Sequence, residues 1–472
     1  AWSGTVAAGG FEHPANGTRA LGRGGAFVAG ACDLSALEHN PAGLLLTPGT
    51  HVMLSNNFTD FRLRFSATAA DGARLPGEEN RAGPFLLAPV LGASTDLAHP
   101  RVRIAAGVYG PSAYGRSSFD PRGSQRYMLT DTDITLVNYT VAVAWQPFDI
   151  WGLGLSLHWV DMLRARMGLV VSGWMDDIDF APEDGSYDVR STLDVADHFN
   201  FAMTIGTWVR PLDRLRLGAS FRLGLDEDGV NSIDASGTIN LRFEGDFIQS
   251  LYESGLTTGE GIVPYDDDGN QVSRIPVTFS MVLPMVARLG VQYIHPLNDR
   301  EALFDLEADV VWEGWSALRS YAVDLSGYMQ VTGKGVVEAE KMSFRPVDIR
   351  KAFRDTWSVR LGGDVRIVEW LQARLGGYWE SGAMPLAYTN VDFASFDRFG
   401  LGTGLTFHWR WFDLSFGYSH IFQQDRIVPR DAAAVHVQFP LLDDEPLERH
   451  KVNAGKYQTS FDIYSVSLEA KF

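Results

Sequence analysis

The stretch Gly154-Leu155-Ser156-Leu157-His158-Trp159, with its continuation Leu163-Arg164-Ala165-Arg166-Met167-Gly168-Leu169-Val170-Val171, decides the fold. Large apolar side chains fall at every second position: Leu155, Leu157, Trp159, then Leu163, Ala165, Met167, Leu169 and Val171. A period of two is that of a β-strand, whose successive side chains point to opposite faces. The pattern recurs on both sides of this stretch. It runs through Val137, Tyr139, Val141, Val143 and Trp145, and again through Leu215, Leu217, Ala219, Phe221 and Leu223. Later it returns in Trp357, Val359, Leu361, Val365 and Ile367, and in Phe399, Leu401, Leu405, Phe407 and Trp409.

The residues between the apolar ones separate two kinds of sheet. A soluble sandwich hides its apolar face and puts a charged face in water. Here the polar face is crowded with Gly, Ser and Arg, and the apolar face carries large aliphatic and aromatic groups almost without interruption. The strands run to roughly 10–20 residues, against about five or six in globular sheets. Long strands that are apolar outside and polar inside mark an outer-membrane barrel; a soluble barrel or sandwich is the competing reading.

Composition agrees. Of 472 residues, 48 are Gly, 12% are aromatic and 21% charged, which fits neither a disordered acidic chain nor a bundle of apolar helices. The longest apolar runs, such as Phe85 to Ala93 with Pro89 inside, are shorter than the roughly 18 residues of a membrane helix. A net charge of −18 disfavours nucleic acid as a partner. The single cysteine, Cys32, excludes an intramolecular disulfide framework and a Cys-based zinc site. The opening Ala1-Trp2-Ser3 has no charged n-region followed by an apolar one. The chain therefore either lost a signal peptide or never had one, and the barrel reading takes the first.

Short turns alternate with long connections. Turns fall at Gln146 to Asp149, Arg210 to Asp213, His295 to Asp299 and near Glu369-Trp370. Long connections cover about Arg116 to Asp131, Gly173 to Tyr187, Gly245 to Ile275, Asp324 to Arg350, Ala383 to Ser395 and Gln424 to Tyr457, and they collect the carboxylates. One side with tight turns and another with long loops is the barrel arrangement. The pattern predicts fourteen antiparallel strands, starting near residues 51, 85, 101, 132, 151, 187, 213, 275, 301, 355, 370, 396, 411 and 457. The chain ends in an alternating strand, Tyr464 to Phe472, with a terminal aromatic. Residues 1–50 are Gly/Ala-rich and cannot build a core alone, so they are expected to plug the barrel formed by residues 51–472.

The segments Arg19 to Ala29 and Asp33 to Leu44, with Asn40-Pro41-Ala42, resemble the N-terminal hatch of FadL/TodX-type outer-membrane transporters of long-chain fatty acids and hydrocarbons. Leu283-Pro284-Met285 followed by Trp312 and Trp315, Phe353 to Trp357, and Pro385 before Phe396 to Phe399 resemble later strands of that family in the same order. The resemblance implies a fourteen-stranded transmembrane barrel with a hatch inside it. It also implies passage of hydrophobic molecules and their sideways release through an inward kink of the third strand. Tyr109, Gly110, Pro111 and Gly115 are the kink candidates, since proline and glycine mark bulges and edges; an early strand end is the plainer reading.

Arg164, with Arg166 as the register alternative, matches a family strand whose arginine faces a ligand carboxylate. A role as a wall strut competes with it. Trp2 and Phe11 are further candidate ligand contacts. The connection after Val171 is shorter and more acidic than the family's helical loop. Trp174 and Phe180, and at helical spacing Phe247 and Tyr252, could still form an external greasy surface; a loop helix packed on the rim competes.

The inward register also carries Arg216, Arg222, Arg288, Arg360, Arg366 and Arg374 with Asp305, Glu307, Asp309, Asp364 and Glu380, expected as mutually satisfied ion pairs. No catalytic set is visible: there is no Gly-x-Ser-x-Gly and no His-Glu-x-x-His, and the eleven histidines are scattered. The run Asp266 to Asn270 misses the EF-hand pattern, so neither a metal nor a cofactor is expected. The sequence predicts a monomeric, non-enzymatic channel in the bacterial outer membrane, contacting outer-membrane lipid and carrying fatty acids or related lipids. A component of an export complex and a general porin are the rivals.

Overall fold

The computed structural model describes residues 16–69, 71–82, 86–110, 116–172, 185–226, 229–245, 262–298, 302–331, 340–438 and 450–472. Its wall is a closed antiparallel barrel of fourteen strands. In chain order they are β1 (His51–Ala67), β2 (Leu86–Thr95), β3 (Val102–Tyr109), β4 (Asp131–Phe148), β5 (Trp151–Ser172), β6 (Asp188–Leu212) and β7 (Leu215–Gly224). The second half is β8 (Val286–Pro296), β9 (Ala302–Glu313), β10 (Thr356–Val368), β11 (Leu371–Glu380), β12 (Arg398–Trp409), β13 (Phe412–Gln423) and β14 (Gly455–Lys471). Each pairs with its chain neighbour, and β1 closes on β14 through an unbroken ladder from His51↔Lys471 to Ala67↔Gly455. Closure leaves no edge strand to face hydrocarbon.

The outward face is the apolar face that the alternation predicts. Val141, Leu157, Leu217, Val359, Leu361, Leu401 and Leu468 are all exposed. At the short-turn end, rings stack in a girdle: Phe148 on Trp151, Trp370 on Phe407 and Trp411 on Phe472. Trp357, Trp379, Phe399 and Phe422 are exposed near the opposite ends of their strands. The 13 residues of β10, tilted as barrel strands are, rise roughly 30 Å, enough to cross a bilayer's apolar layer.

Strands seven to ten are taller than one uninterrupted strand. Above β7–β10 a second tier follows the same order: Asn231–Phe243, Ile275–Leu283, Ser320–Leu325 and Val347–Arg350. The upper part of β6 pairs with Asn231–Phe243 and its lower part with β7, so two strands stack end to end on one partner. Pro284, which has no N–H to give a ladder, lies at the break between the two tiers of the eighth strand.

The N-terminal segment lies inside the barrel. It contains α1 (Thr18–Gly22), α2 (Ala36–His39) and a 3₁₀ turn (Pro41–Leu46), and its residues are almost all buried. The glycine-rich inner face of the wall is explained here. A Cβ on Gly376 would stand 2.1 Å from the Arg23 carbonyl oxygen, and one on Gly154 would stand 2.2 Å from the Ala42 nitrogen. Backbone presses on backbone, and only glycine leaves the room.

Candidate functional site

The hatch is held chiefly by carboxylates of β9. Glu307 Oε1 accepts from the backbone N–H groups of Val28 (2.8 Å), Ala29 (2.6 Å) and Gly30 (3.1 Å). Asp309 Oδ2 accepts from Phe27 (2.7 Å) and Val28 (3.1 Å). Consecutive N–H groups turned to one side form an anion-binding concavity, and here the protein's own acids fill it. Arg23 completes the clamp, donating from Nη2 to Asp305 Oδ1 (2.7 Å) and Glu307 Oε2 (2.9 Å). On the other side of Arg23, Asp364 is shared among Arg19, Arg23 and Arg374 at 3.3, 3.4 and 3.1 Å. The expected inward ion pairs thus brace the hatch as well as the wall.

Asn40, fully buried, ties three pieces together. Its Oδ1 accepts from the Ala42 N–H (3.2 Å), while Nδ2 donates to Val28 O (2.8 Å) in the hatch and to Thr207 O (3.0 Å) on β6. Trp208 Nε1 donates to Ala42 O at 2.9 Å, so both ends of Asn40-Pro41-Ala42 are fastened to the wall. Asn40→Ala leaves two buried carbonyls and one N–H without this partner, at about 1 kcal/mol or more each. The barrel ladders do not depend on it. The expected result is a barrel that folds and inserts, judged by its heat-dependent gel mobility, with uptake of labelled hydrophobic substrate falling several-fold.

Next to the hatch, β3 reaches the kink candidates. Tyr109 is buried; its hydroxyl lies 3.3 Å from His158 Nδ1, and the same imidazole bonds Thr140 Oγ1 (2.8 Å) and Thr204 Oγ1 (2.9 Å). Gly110 O, at the end of the ladder, accepts from Asn16 Nδ2 of the hatch at 2.9 Å. Pro111 and Gly115 lie outside the described residues, but the flanking register is informative. Tyr109 pairs with Asn138 and Arg116 pairs with Asp133, so six residues of sequence separate these two pairs on one side and four, 134–137 of β4, on the other. On the outer surface beside this place lies a concavity of about 650 Å³ between Leu91, Val108, Tyr139, Val141, Leu157 and Trp159.

Arg164 and Arg166 are not where the alternation puts them. Leu163 is an extra residue on β5 relative to β4, a bulge that reverses which face the following residues occupy. Met162 before it and Ala165 and Met167 beyond it face inward, and both arginines stand on the outer face. Arg164 bonds Asp194 through Nη2 (2.9 Å), and Arg166 Nε lies 3.4 Å from Asp131. They belong to a partly exposed ion-pair belt and do not face the lumen. Trp2, Phe11, Trp174, Phe180, Phe247 and Tyr252 lie outside the described residues. Asp266 caps its own turn, accepting from the Asn270 N–H at 2.7 Å, and these backbone bonds hold its carboxyl below the usual range.

Above the hatch the lumen is apolar. Ile134, Leu136, Met162, Ala165 and Met167 face Ile233, Phe279, Met281, Leu283, Tyr321 and Phe393 across a cleft that leaves only about 10 Å³ open. That is hardly room for one water molecule. Methionine walls, with three rotatable bonds each, repack easily around a guest.

A closed barrel with an apolar belt, aromatic girdles and its own N-terminal segment filling the lumen is a plugged outer-membrane channel. The family model described as "Outer membrane protein transport protein (OMPP1/FadL/TodX)" matches residues 1–457, and the chain belongs to that family. It is thus an integral outer-membrane protein of a family of transporters for hydrophobic compounds, not of enzymes. Among solved structures, a FadL homologue of Pseudomonas aeruginosa is 18% identical, covers 98% of this chain and 100% of its own, and superposes with a TM-score of 0.72. The toluene transporter TbuX of Ralstonia pickettii is 13% identical, with coverage of 98% and 100% and a TM-score of 0.63. The toluene transporter TodX of P. putida is also 13% identical, with coverage of 98% and 99% and a TM-score of 0.62. At these identities the likeness is one of fold. Among curated protein sequences none matches the chain.

Two features of the site are not readable in the sequence. The acids of β9 appear there as wall ion pairs, whereas their main partners are hatch amides. Asn16, which donates from Nδ2 to Glu38 Oε2 at 2.9 Å, lies outside the segments that resemble the hatch.

Proposed function

We propose that this protein carries long-chain fatty acids or related lipids through the outer membrane, with the hatch (residues 1–50) as the gate of the barrel (residues 51–472) and release sideways into the bilayer beside β3. The observation that carries this reading is an apolar, methionine-lined cleft above a hatch that fills the lumen. A filled lumen offers no aqueous path, which counts against a porin. A hydrophobic molecule leaving through the wall avoids water, and water is where its transfer is unfavourable. The two-residue surplus of sequence between the pairs Tyr109↔Asn138 and Arg116↔Asp133, and the concavity outside β3, support an exit at that place. In this reading Trp174, Phe180, Phe247 and Tyr252 make first contact outside, and Trp2 and Phe11 lie along the ligand path.

Mass spectrometry of organic extracts from the purified protein tests the assignment. The expected result is a long-chain acid retained in near-stoichiometric amount. Protein that retains no hydrophobic molecule, even after incubation with lipid extract, would count against it.

A further inference from the structure

The bulge at Leu163, which carries Arg164 and Arg166 to the outer face, sets them among other arginines. On β6, Val189, Leu193 and Val195 are buried, so Arg190 and Asp194 face outward. The ladder partner of Arg190 on Asn231–Phe243 is Arg242, which is exposed. Two guanidinium groups thus stand directly opposite each other on one face, which is unfavourable unless an anion joins them. The carboxylates of this face do not fill that role. Asp194 is taken by Arg164 at 2.9 Å and Asp133 by Arg116 at 2.8 Å. Asp131 lies 3.4 Å from Arg166 and 3.7 Å from Arg190, the second too far for a hydrogen bond. Arg166 Nε has no hydrogen-bond partner, and among the described residues Arg242 has no ion pair, even with the nearby Glu244.

The height of these arginines on the wall identifies the anion. Trp151, in the girdle at the short-turn end, begins β5, and Arg164 lies about 13 residues further along it. That is the run that takes a tilted barrel strand across the apolar layer. Just below, on the same outer wall, Leu163, Trp159, Phe199 and Phe201 are all exposed. The arginines therefore mark the level at which hydrocarbon gives way to headgroups on the long-loop side. An anion that resides at that level is the headgroup of a lipid, and its chains lie against the apolar residues beneath. In the outer leaflet of this membrane the lipid of that chemistry is a phosphorylated, multiply acylated glycolipid.

We propose that Arg166, Arg190 and Arg242 hold a phosphate of the outer leaflet's glycolipid, lipopolysaccharide, whose acyl chains lie against Leu163 and Phe199. Guanidinium groups suit phosphate because their planar donors meet its oxygens through paired, charge-assisted bonds. The phosphate relieves the repulsion between Arg190 and Arg242 that no described carboxylate relieves. The chain as a whole carries a net charge of −18, so a site that attracts an anion has to be built locally. The inference is independent of what the channel carries.

Binding of lipopolysaccharide without its O-antigen to the purified full chain in detergent tests the proposal, read by native mass spectrometry. Wild type is expected to bind it at least about tenfold more tightly than a variant carrying Arg190→Gln and Arg242→Gln together. The same margin is expected over the glycolipid stripped of its phosphates, and it shrinks at high salt. Heat-dependent gel mobility shows whether the double variant is folded. Should it not fold, Arg242→Gln alone, at an exposed residue outside any described ion pair, is expected to lower the affinity several-fold. Phosphatidylglycerol and inorganic phosphate, added as competitors, separate the sources of phosphate, and neither is expected to displace the glycolipid at equal concentration. Equal affinity of wild type and the folded variants overturns the proposal. So does equal binding of the dephosphorylated glycolipid, displacement by either competitor at equal concentration, or wild type that binds no glycolipid.

Discussion

Locking residues 110–115 of the third strand to β4 is expected to abolish uptake of hydrophobic substrate, and reduction of the lock to restore it. The natural Cys32 is first replaced by Ser, and a cysteine pair is placed to bridge this segment to the adjacent strand. Between the pairs Tyr109↔Asn138 and Arg116↔Asp133 six residues of sequence lie on one side and four, those of β4, on the other. A continuous ladder has no place for the surplus, and backbone groups left unpaired next to hydrocarbon cost several kcal/mol each unless something else meets them. The bond from Asn16 Nδ2 to Gly110 O is one such compensation, offered by the hatch. It ties the exit to the gate, so a hatch that moves withdraws a partner from the strand. The readout is cell uptake of labelled hexadecanoate before and after reductant. Full uptake in the crosslinked protein contradicts lateral exit and leaves the barrel assignment untouched.

Glu307→Ala is expected to turn a closed channel into a leaking one. The substitution takes the acceptor from the amides of Val28, Ala29 and Gly30 and one partner from Arg23, all in a dry interior. Orphaned donors of this kind cost roughly 1–3 kcal/mol each, and more where a charge is involved. The ladder that closes the barrel, β1 to β14, lies on the opposite part of the wall and keeps its strength. The loss therefore falls on the docking of the hatch and not on the fold. In planar bilayers the wild type should be almost silent and Glu307→Ala should show stable open currents. Glu307→Gln, whose amide oxygen still accepts, should lie between them. A silent Glu307→Ala would mean that Asp309 and the Asp364 cluster hold the hatch without it.

Much of this fold is legible in the chain because a barrel wall imposes one repeated demand. Leu155, Leu157 and Trp159 do face outward, and the alternation through Trp357 to Ile367 marks a lipid face along its whole length. The glycines of the inner face are visible as an anomaly, but their cause, a hatch backbone lying against Gly154 and Gly376, is a three-dimensional fact. Arg164 and Arg166 show where period-two reading stops. Alternation tells which residues share a face, not which face that is. Beyond Leu163 the lumen is as apolar as the lipid, so Ala165 and Met167 fit inside as well as Leu157 fits outside. One inserted residue decides between them.

The measurement that bears most directly on the account is uptake of labelled hexadecanoate by cells that lack their own fatty-acid transporters and express either this chain or an empty vector. The account predicts saturable uptake with the chain, reduced several-fold by Asn40→Ala and undiminished by a large excess of a small polar solute such as glucose. Uptake equal to the vector control, with the barrel correctly inserted, would contradict it.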